Sequence, residues 1–208
     1  MEPARFTTIT PALPELMQTV FRDQRMLIRP FSGDDGPALF TAASESLPEL
    51  CSWMTWCTPG YSLADAVTFA SETSNAWRSG AQYCFAIVEA HTGTLHGSIG
   101  LTQVDRRHNF ANVGVWVRTS STRRGIAASA TSLLAKFAFE ELRLTRLEFL
   151  VAANNIASIR VAQKAGAKFE GVLRQRLRLA GQVHDALLYS LLATDTPPNP
   201  EFPTSSLP

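Results

Sequence analysis

The chain has 208 residues, a formal net charge of +1, 45% hydrophobic residues and 18% charged residues. This length fits one domain with a full-sized core, and the balanced charge excludes a global attraction to nucleic acid or to an acidic membrane. No apolar run reaches the roughly 18 residues of a membrane span, and Met1-Glu-Pro lacks the start of a secretory signal, so we expect a cytoplasmic protein.

Hydrophobic periodicity predicts alternating strands and helices behind an N-terminal arm, residues 1–25, with a short helix near 15–21. The proline-rich tail, residues 194–208, has no periodicity and is predicted to be disordered or draped over the surface. Between them, strands are predicted at 26–30, 83–90, 95–104, 112–118, 146–152, 169–179 and 183–192, and helices at 38–46, 62–78, 126–142 and 155–165, with an irregular segment and a short helix at 47–61.

The three cysteines, Cys51, Cys57 and Cys84, match no zinc-binding spacing. Their odd number is typical of a reducing compartment, where disulfides do not hold the fold together. We therefore expect no metal site. The four histidines fall near turns or strand ends and form no catalytic arrangement, which favours solvated or structural roles.

The chemically informative segment is a polar turn, residues 122–127 (Thr-Arg-Arg-Gly-Ile-Ala), between a predicted strand and a long helix. The first amides of a helix have no intrahelical acceptor, and the helix dipole adds positive charge there. Small side chains let an anion approach this backbone, and arginines add charge for phosphate oxygens. The alternative is a glycine that only permits a tight turn. The candidate phosphate ligands are Arg123, Arg124, Gly125, Ile126, Ala127 and Ala128.

Two other phosphate-binding motifs are missing from the sequence. The chain contains no G-x-x-x-x-G-K-[ST], which argues against a P-loop NTPase, and no G-x-G-x-x-G after an early strand, which argues against a Rossmann dinucleotide domain.

The segments flanking the turn resemble the GNAT acetyltransferases, and among them the RimJ/RimL type that acetylates ribosomal-protein N-termini. The resemblance extends from about residue 25 to 193, and it rests on four segments in the family's order. These are Leu50-Cys-Ser-Trp-Met-Thr-Trp56, Asn112-Val-Gly-Val-Trp-Val-Arg118, the 122–127 turn, and Asn155-Ile-Ala-Ser158 followed by Lys164-Ala-Gly-Ala-Lys-Phe-Glu-Gly171.

The resemblance implies a three-layer α/β domain at residues 26–193, with a mixed, mostly antiparallel sheet of six or seven strands flanked by helices. It implies acetyl-CoA as co-substrate, with the pantetheine between two splayed strands, 112–118 and 146–152. Backbone groups of Val115, Trp116 and Val117 would bind the pantetheine and polarise the thioester carbonyl. The acceptor would be a primary amine, most readily a protein or peptide N-terminus, and a homodimer is compatible with the family.

The same comparison leaves the proton-transfer residues open. Ser158 is the candidate acid for the leaving thiolate, or it caps its helix; Asn155 binds the pantetheine or holds the turn. The family's tyrosine and glutamate positions hold Ala162 and Leu177. Glu148 is a candidate base, although a strand glutamate more often pairs with a nearby arginine.

Further departures from the family pattern are Thr122 at the start of the turn and Ala167 in place of a phenylalanine. Trp53 and Trp56 either line the acceptor pocket or belong to the core. Arg174, Arg176 and Arg178 alternate on a predicted strand, so they share a face that is solvated or receives acidic groups of the substrate. A small-amine acetyltransferase and a non-catalytic acyl-CoA sensor remain the alternative functions.

Overall fold

Short polar turns order most of the sheet, because each returns the chain antiparallel beside the strand it follows. In the computed structural model, which describes residues 20–195, every neighbouring pair of strands is antiparallel except β5 and β6. The order is β1-β2-β3-β4-β5-β6-β8-β7. The strands are β1 (Phe21–Arg22), β2 (Met26–Pro30), β3 (Tyr83–Glu89), β4 (Leu95–Asp105), β5 (Phe110–Val117), β6 (Arg146–Ala152), β7 (Lys168–Leu179) and β8 (Gln182–Leu192).

Helices cover both faces of this sheet. Three helices, α1 (Gly36–Ser44), α2 (Leu47–Trp53) and α3 (Leu63–Ser79), pack on one face, while α4 (Ile126–Lys136) and α5 (Ile156–Lys164) pack on the other. A π-helical turn, Phe137–Glu141, extends α4. Local sequence signals define both ends of α3. The Ser62 hydroxyl accepts a hydrogen bond from the Asp65 amide at the start of the helix, and Gly80, at φ 69°, ends it.

Two apolar layers hold the helices to the sheet. The larger layer lies under α4 and α5, where Phe85, Leu134, Phe137 and Leu147 are fully buried. The smaller layer lies under α1 and α3 and combines four alanines with the larger side chains of Phe31, Leu39, Val88 and Leu95. Strands β2 to β5 therefore contribute residues to two different cores, one on each face of the sheet.

The predicted fold class is confirmed, with one addition to the sheet. Eight strands are present instead of six or seven, because Phe21–Arg22 pairs with β2 inside the segment assigned to an N-terminal arm. Phe21 is therefore a strand residue, not helical; the rest of the predicted helix, apart from Val20, lies outside the described residues. At the other end, Ala193–Asp195 forms a 3-10 turn and residues 196–208 lie outside the described part.

One predicted pattern is wrong in the last hairpin. The strict alternation that would align Arg174, Arg176 and Arg178 on one face is interrupted by a register shift between Leu173 and Leu177. Gln175 there adopts a positive φ of 53°, and its amide donates to Asp185 Oδ1 at 2.7 Å. All three arginines are exposed, as a solvated surface requires.

Candidate functional site

The central feature of the site is a gap between the two parallel strands. The ladder joining β5 to β6 has three pairs and ends at Asn112 and Glu148, and no further pair follows between these strands in the described chain. Next to this end, Asn112 Oδ1 accepts from the Leu150 amide at 3.2 Å. Both strands stay paired on their outer sides, β5 with β4 and β6 with β8. The gap therefore presents two firmly held backbone edges to an extended ligand.

The side chains of β5 divide the two sides of this gap. Val115 and Val117 pack toward the core under α4 and α5. Trp116 packs against the opposite layer, with α1 to α3. Gly114 lies on the Trp116 face by strand alternation, and a Cβ there would meet no atom within 4 Å. The face beside Trp116 thus has open space next to the strand edge.

The turn before α4 has the geometry of an anion cradle. Gly125 is the N-cap in a left-handed conformation (φ 82°), and a Cβ on it would meet nothing within 4 Å. The first amide of α4 that donates back to the turn is that of Ser129, to the Gly125 carbonyl at 3.0 Å. The earlier amides of the helix have no acceptor among residues 20–195, so they can bind an anion. These are the amides of Ile126, Ala127 and Ala128.

The two arginines of the turn differ in their surroundings. Arg123 is exposed, has a positive φ of 61° and has no ion-pair partner within residues 20–195. Arg124 is also exposed, but its Nη2 lies 3.8 Å from Glu89 Oε1. An exposed pair at this distance is weak, so Arg124 can still turn toward a phosphate.

The loop between β5 and α4, residues 118–125, is held at its start by two side chains from the end of α1, more than 70 residues earlier in the chain. Glu45, at the end of α1, accepts from the Arg118 guanidinium and from the Ser120 amide at 2.8 Å. Ser46 Oγ accepts from the Thr119 amide at 2.9 Å. The hydrogen bond from Arg118 lowers the pKa of Glu45 to about 2. Sequence analysis missed both residues, because nothing in the sequence connects positions more than 70 residues apart.

The side chain of His96 contacts the same loop. It is 3% exposed on β4, and its Nδ1 lies 2.9 Å from Ser121 Oγ. Burial is the main cause that lowers its pKa, with contributions from Arg124 and Arg118, while Glu89 opposes them. The structural role predicted for the histidines therefore fits His96, although this one is buried, not solvated.

The turn after β6 contains Asn155 and Ser158. Asn155 is the N-cap of α5, and its Oδ1 accepts from the Ser158 amide at 3.0 Å. The Asn155 side-chain NH2 and the half-buried Ser158 hydroxyl have no hydrogen-bond partner within the described residues. Asn155 thus holds the turn and keeps a free donor, while Ser158 keeps a free hydroxyl.

Two carboxylates beside β6, those of Glu148 and Glu170, are paired with one arginine. Arg146 Nε donates to Glu148 Oε1 at 2.8 Å, and its other nitrogens form a bidentate pair with Glu170. The hydrogen bond from Arg146 lowers the pKa of Glu170 to about 2. Glu148 therefore has the structural pairing that sequence analysis favoured. Ala162 is fully buried and Leu177 is half-buried, so neither position offers an acid or base.

Aromatic rings line the Trp116 side of the gap. Trp56 is 43% exposed, and its ring centroid lies 5.9 Å from that of Trp116 and 5.5 Å from that of Tyr61. Burial raises the pKa of Tyr61 to about 12, so its hydroxyl stays protonated near neutral pH. Trp53 is half-buried at the end of α2. Trp56 is thus a surface residue beside the gap, whereas Trp53 belongs partly to the packing.

Two classes of site are not found in the described residues. Residues 20–195 contain no cluster of three or more histidine, cysteine or acidic side chains able to hold a metal ion. No helix in that range is both long and apolar enough to cross a membrane.

Comparisons with known proteins agree with this geometry. The model of the acetyltransferase (GNAT) domain family matches residues 25–168. YdaF of Bacillus subtilis, provisionally named a ribosomal N-acetyltransferase, is 35% identical over 102 residues, which cover 49% of this chain and 56% of YdaF. This chain thus spans little more than half of that relative.

Two solved structures share the fold over most of the chain. RimJ of Mycobacterium smegmatis, in complex with CoA-disulfide, has a TM-score of 0.76 at 24% identity and covers 86% of this chain and 88% of its own. RimL, the ribosomal L7/L12 α-N-protein acetyltransferase in complex with coenzyme A, has a TM-score of 0.78 at 18% identity, covering 84% and 98%. At these identities the likeness establishes the fold.

Proposed function

The chain belongs to the GNAT acetyltransferase family, and from that premise we propose that it transfers an acetyl group from acetyl-CoA to the N-terminal α-amine of a protein or peptide. One observation carries the proposal: the gap between β5 and β6 opens at the carboxyl end of β5, and the chain passes from there to the amide cradle of α4. A ligand with an extended amide arm and a diphosphate suits both features. Coenzyme A is such a ligand.

The residues proposed to bind acetyl-CoA divide by the part of the ligand they would contact. The free amides of Ile126, Ala127 and Ala128, with Arg123 and Arg124, would bind the diphosphate, and Gly125 leaves room for it. Backbone groups of Val115, Trp116 and Val117 would pair with the pantetheine amides along the open edge of β5. The free side-chain NH2 of Asn155 would donate to the same arm from the β6 side.

The proposed chemistry is direct attack of a neutral amine on the thioester carbonyl. A backbone N–H of β5 in the gap would stabilise the oxygen as it gains negative charge. The Ser158 hydroxyl, which has no partner within the described residues, would give its proton to the departing thiolate and regain one from the nitrogen as the amide forms. The acceptor would enter from the Trp116 side, opposite α4 and α5, where Gly114 leaves open space.

The choice of an α-amine rests on the engaged carboxylates. Arg146 holds both Glu148, the candidate base, and Glu170, so neither of these carboxylates is free to deprotonate the acceptor. An α-amine has a pKa of about 7.7–8.0 and lysine one near 10.4, and this gap of about 2.5 units is worth roughly 3.5 kcal/mol. An acceptor that is partly neutral at pH 7 needs no strong base. The name of YdaF supports a protein acceptor.

The proposal is tested by measuring CoA release from acetyl-CoA with matched acceptors. One peptide carries a free N-terminus and no lysine, and its partner carries a blocked N-terminus and one lysine. We expect turnover with the first and little with the second, and Ser158→Ala should lower kcat with little change in the KM for acetyl-CoA. Efficient turnover of the lysine peptide alone contradicts the choice of acceptor.

Two further outcomes separate the alternative functions. Turnover of polyamines or free amino acids, but of no peptide, identifies a small-amine acetyltransferase. Tight binding of CoA by calorimetry, without turnover of any amine, identifies an acyl-CoA sensor. A protein that binds no CoA contradicts all of these readings.

A further inference from the structure

Two cysteine sulfurs are in contact beside the aromatic face of the gap. Cys51 lies in α2, and Cys57 follows the helix on a turn in which its amide donates to the Met54 carbonyl at 3.2 Å. This turn brings Cys57 back against the helix, so the two Sγ atoms are 3.0 Å apart. A disulfide bond is about 1 Å shorter. A small movement of the loop would therefore join them.

We propose that Cys51 and Cys57 form a reversible disulfide by exchange with a small-molecule disulfide, and that this modification controls access of the acceptor. The part about the acceptor rests on the function proposed above, whereas disulfide formation does not. The pair differs from the third cysteine, Cys84, which lies in β3 and takes no part in this contact.

The different exposure of the two thiols sets the order of the exchange. Cys51 is half-buried, so its thiolate can attack an external disulfide, form a mixed disulfide and release one thiol. Cys57, 6% exposed, is shielded from the reagent. Its thiolate then attacks the Cys51 sulfur, closes the internal disulfide and releases the second thiol. The two cysteines lose two electrons, and the external disulfide gains them as two thiols.

The environment of Cys57 favours a resolving role over direct attack. Burial and the adjacent Cys51 sulfur raise the pKa of the Cys57 thiol to about 12. Once Cys51 is in a mixed disulfide, it can no longer carry the negative charge that opposes ionisation of Cys57. Formation of the mixed disulfide therefore promotes the second step.

The location of the pair connects it to the acceptor side. Cys51 and Cys57 belong to a small apolar cluster that includes Met54, Tyr61 and Trp116. Trp56, next to Cys57 in the chain, packs on Trp116 of β5. A disulfide would close a short loop around Trp56 and hold its ring against Trp116. An acceptor that must displace Trp56 would then be hindered, while the cradle on the other side of the sheet is untouched.

The first measurement follows the disulfide itself. The full chain is equilibrated in mixtures of reduced and oxidised glutathione, quenched by alkylation and mapped by peptide mass. We expect an internal crosslink between Cys51 and Cys57 with no retained glutathione, while Cys84 remains alkylated. Cys84→Ser is the matched control and should crosslink normally, and Cys57→Ser should stop at a glutathione adduct on Cys51. A wild-type chain that stays fully alkylated, or that keeps the adduct without a crosslink, overturns the proposal.

The second measurement tests the consequence. Oxidation should lower kcat/KM for the acceptor peptide several-fold and leave the Kd for CoA unchanged. A dithiol reductant should restore the lost activity. The Cys57→Ser variant should not acquire an internal disulfide. An equal loss of CoA affinity, or full activity of the crosslinked chain, overturns the control of acceptor access. If the reduced protein acetylates nothing, the function proposed above fails, and the mass mapping still decides whether the disulfide forms.

Discussion

The two sides of the gap between β5 and β6 offer different chemical groups to a ligand. On the α4 and α5 side, the groups available to a ligand are the first amides of α4, the left-handed Gly125, and the exposed Arg123 and Arg124. On the other side they are rings and thiols, among them Trp56, Trp116 and Cys51. Under the proposed function, backbone groups bind CoA on the first side, and side chains on the second side recognise the acceptor. The comparison predicts that each side can be disabled without the other.

The strongest test is Gly125→Trp, which should abolish acetyl-CoA binding. Filling the open space beside the free amides removes charge-assisted hydrogen bonds worth about 3 kcal/mol together, a loss of more than roughly hundredfold in affinity. Calorimetry with CoA measures it. Gly125→Ala is the matched control: it carries the strain of a side chain at φ 82° without the bulk, and it should retain most of the affinity. If the two variants lose affinity equally, backbone strain is the cause and the cradle is not supported.

The complementary change on the acceptor side is Gly114→Val. The backbone there is an ordinary strand, and a Cβ meets nothing within 4 Å, so the fold should tolerate valine. The added methyl groups occupy space next to Trp116, and we expect kcat/KM for the acceptor peptide to fall by roughly tenfold. The Kd for CoA should stay within about twofold of wild type. A variant with weakened CoA binding and an unchanged KM for the acceptor peptide would reverse the assignment of the two sides.

A smaller effect is expected where the two sides are joined. Glu45, at the end of α1, accepts hydrogen bonds from Arg118 and Ser120. Glu45→Gln should therefore loosen the start of the loop between β5 and α4, and raise the KM for acetyl-CoA several-fold with little change in kcat. Ser52→Ala, at an exposed position on α2, is a control variant outside this contact. A fall in kcat with an unchanged KM would contradict a role in holding the loop.

The pKa of Glu45 adds a stability measurement to the same variant. Its folded pKa is about 2, below the usual value near 4.3, so the ion pair contributes stability above pH 4.3 that is lost as the pH falls toward 2. Urea midpoints measured between pH 6 and pH 3 should therefore decrease less steeply for Glu45→Gln than for wild type.

These contacts also mark what could be predicted from the sequence. The turn at Gly125, the strands on either side of the gap and the cap at Asn155 follow from local signals: small residues, β-formers and helix-start residues at fixed spacing. Nearly every element could be predicted from them, whereas the fold class and the family were predicted from the resemblance of four segments to the GNAT acetyltransferases. The addition of β1 could not, because a two-residue strand has no periodicity.

The supporting contacts were beyond sequence reasoning for a different reason. Glu45 meets Ser120 and His96 meets Ser121, and both contacts are consequences of packing between distant segments. The bulge at Gln175 could not be predicted either, because the alternating sequence pattern of β7 gives no sign of it.

The smallest expected effect concerns His96, whose Nδ1 lies 2.9 Å from Ser121 Oγ in the loop between β5 and α4. Its pKa is lowered by burial, so the unfolded chain binds a proton that the folded chain rejects as the pH falls below about 6.5, and stability should decrease in that range. The urea midpoint of unfolding is measured at pH 7.5 and at pH 5.5. The difference between the two midpoints should be smaller for His96→Leu than for wild type. Ser121→Ala removes the Nδ1 contact but keeps the titrating ring, so it should lower stability at both pH values and retain the full difference. If Ser121→Ala also abolishes the pH dependence, the hydrogen bond and not the burial of the ring is responsible. In either case acceptor specificity should not change, because His96 supports only the side of the gap that is proposed to bind CoA.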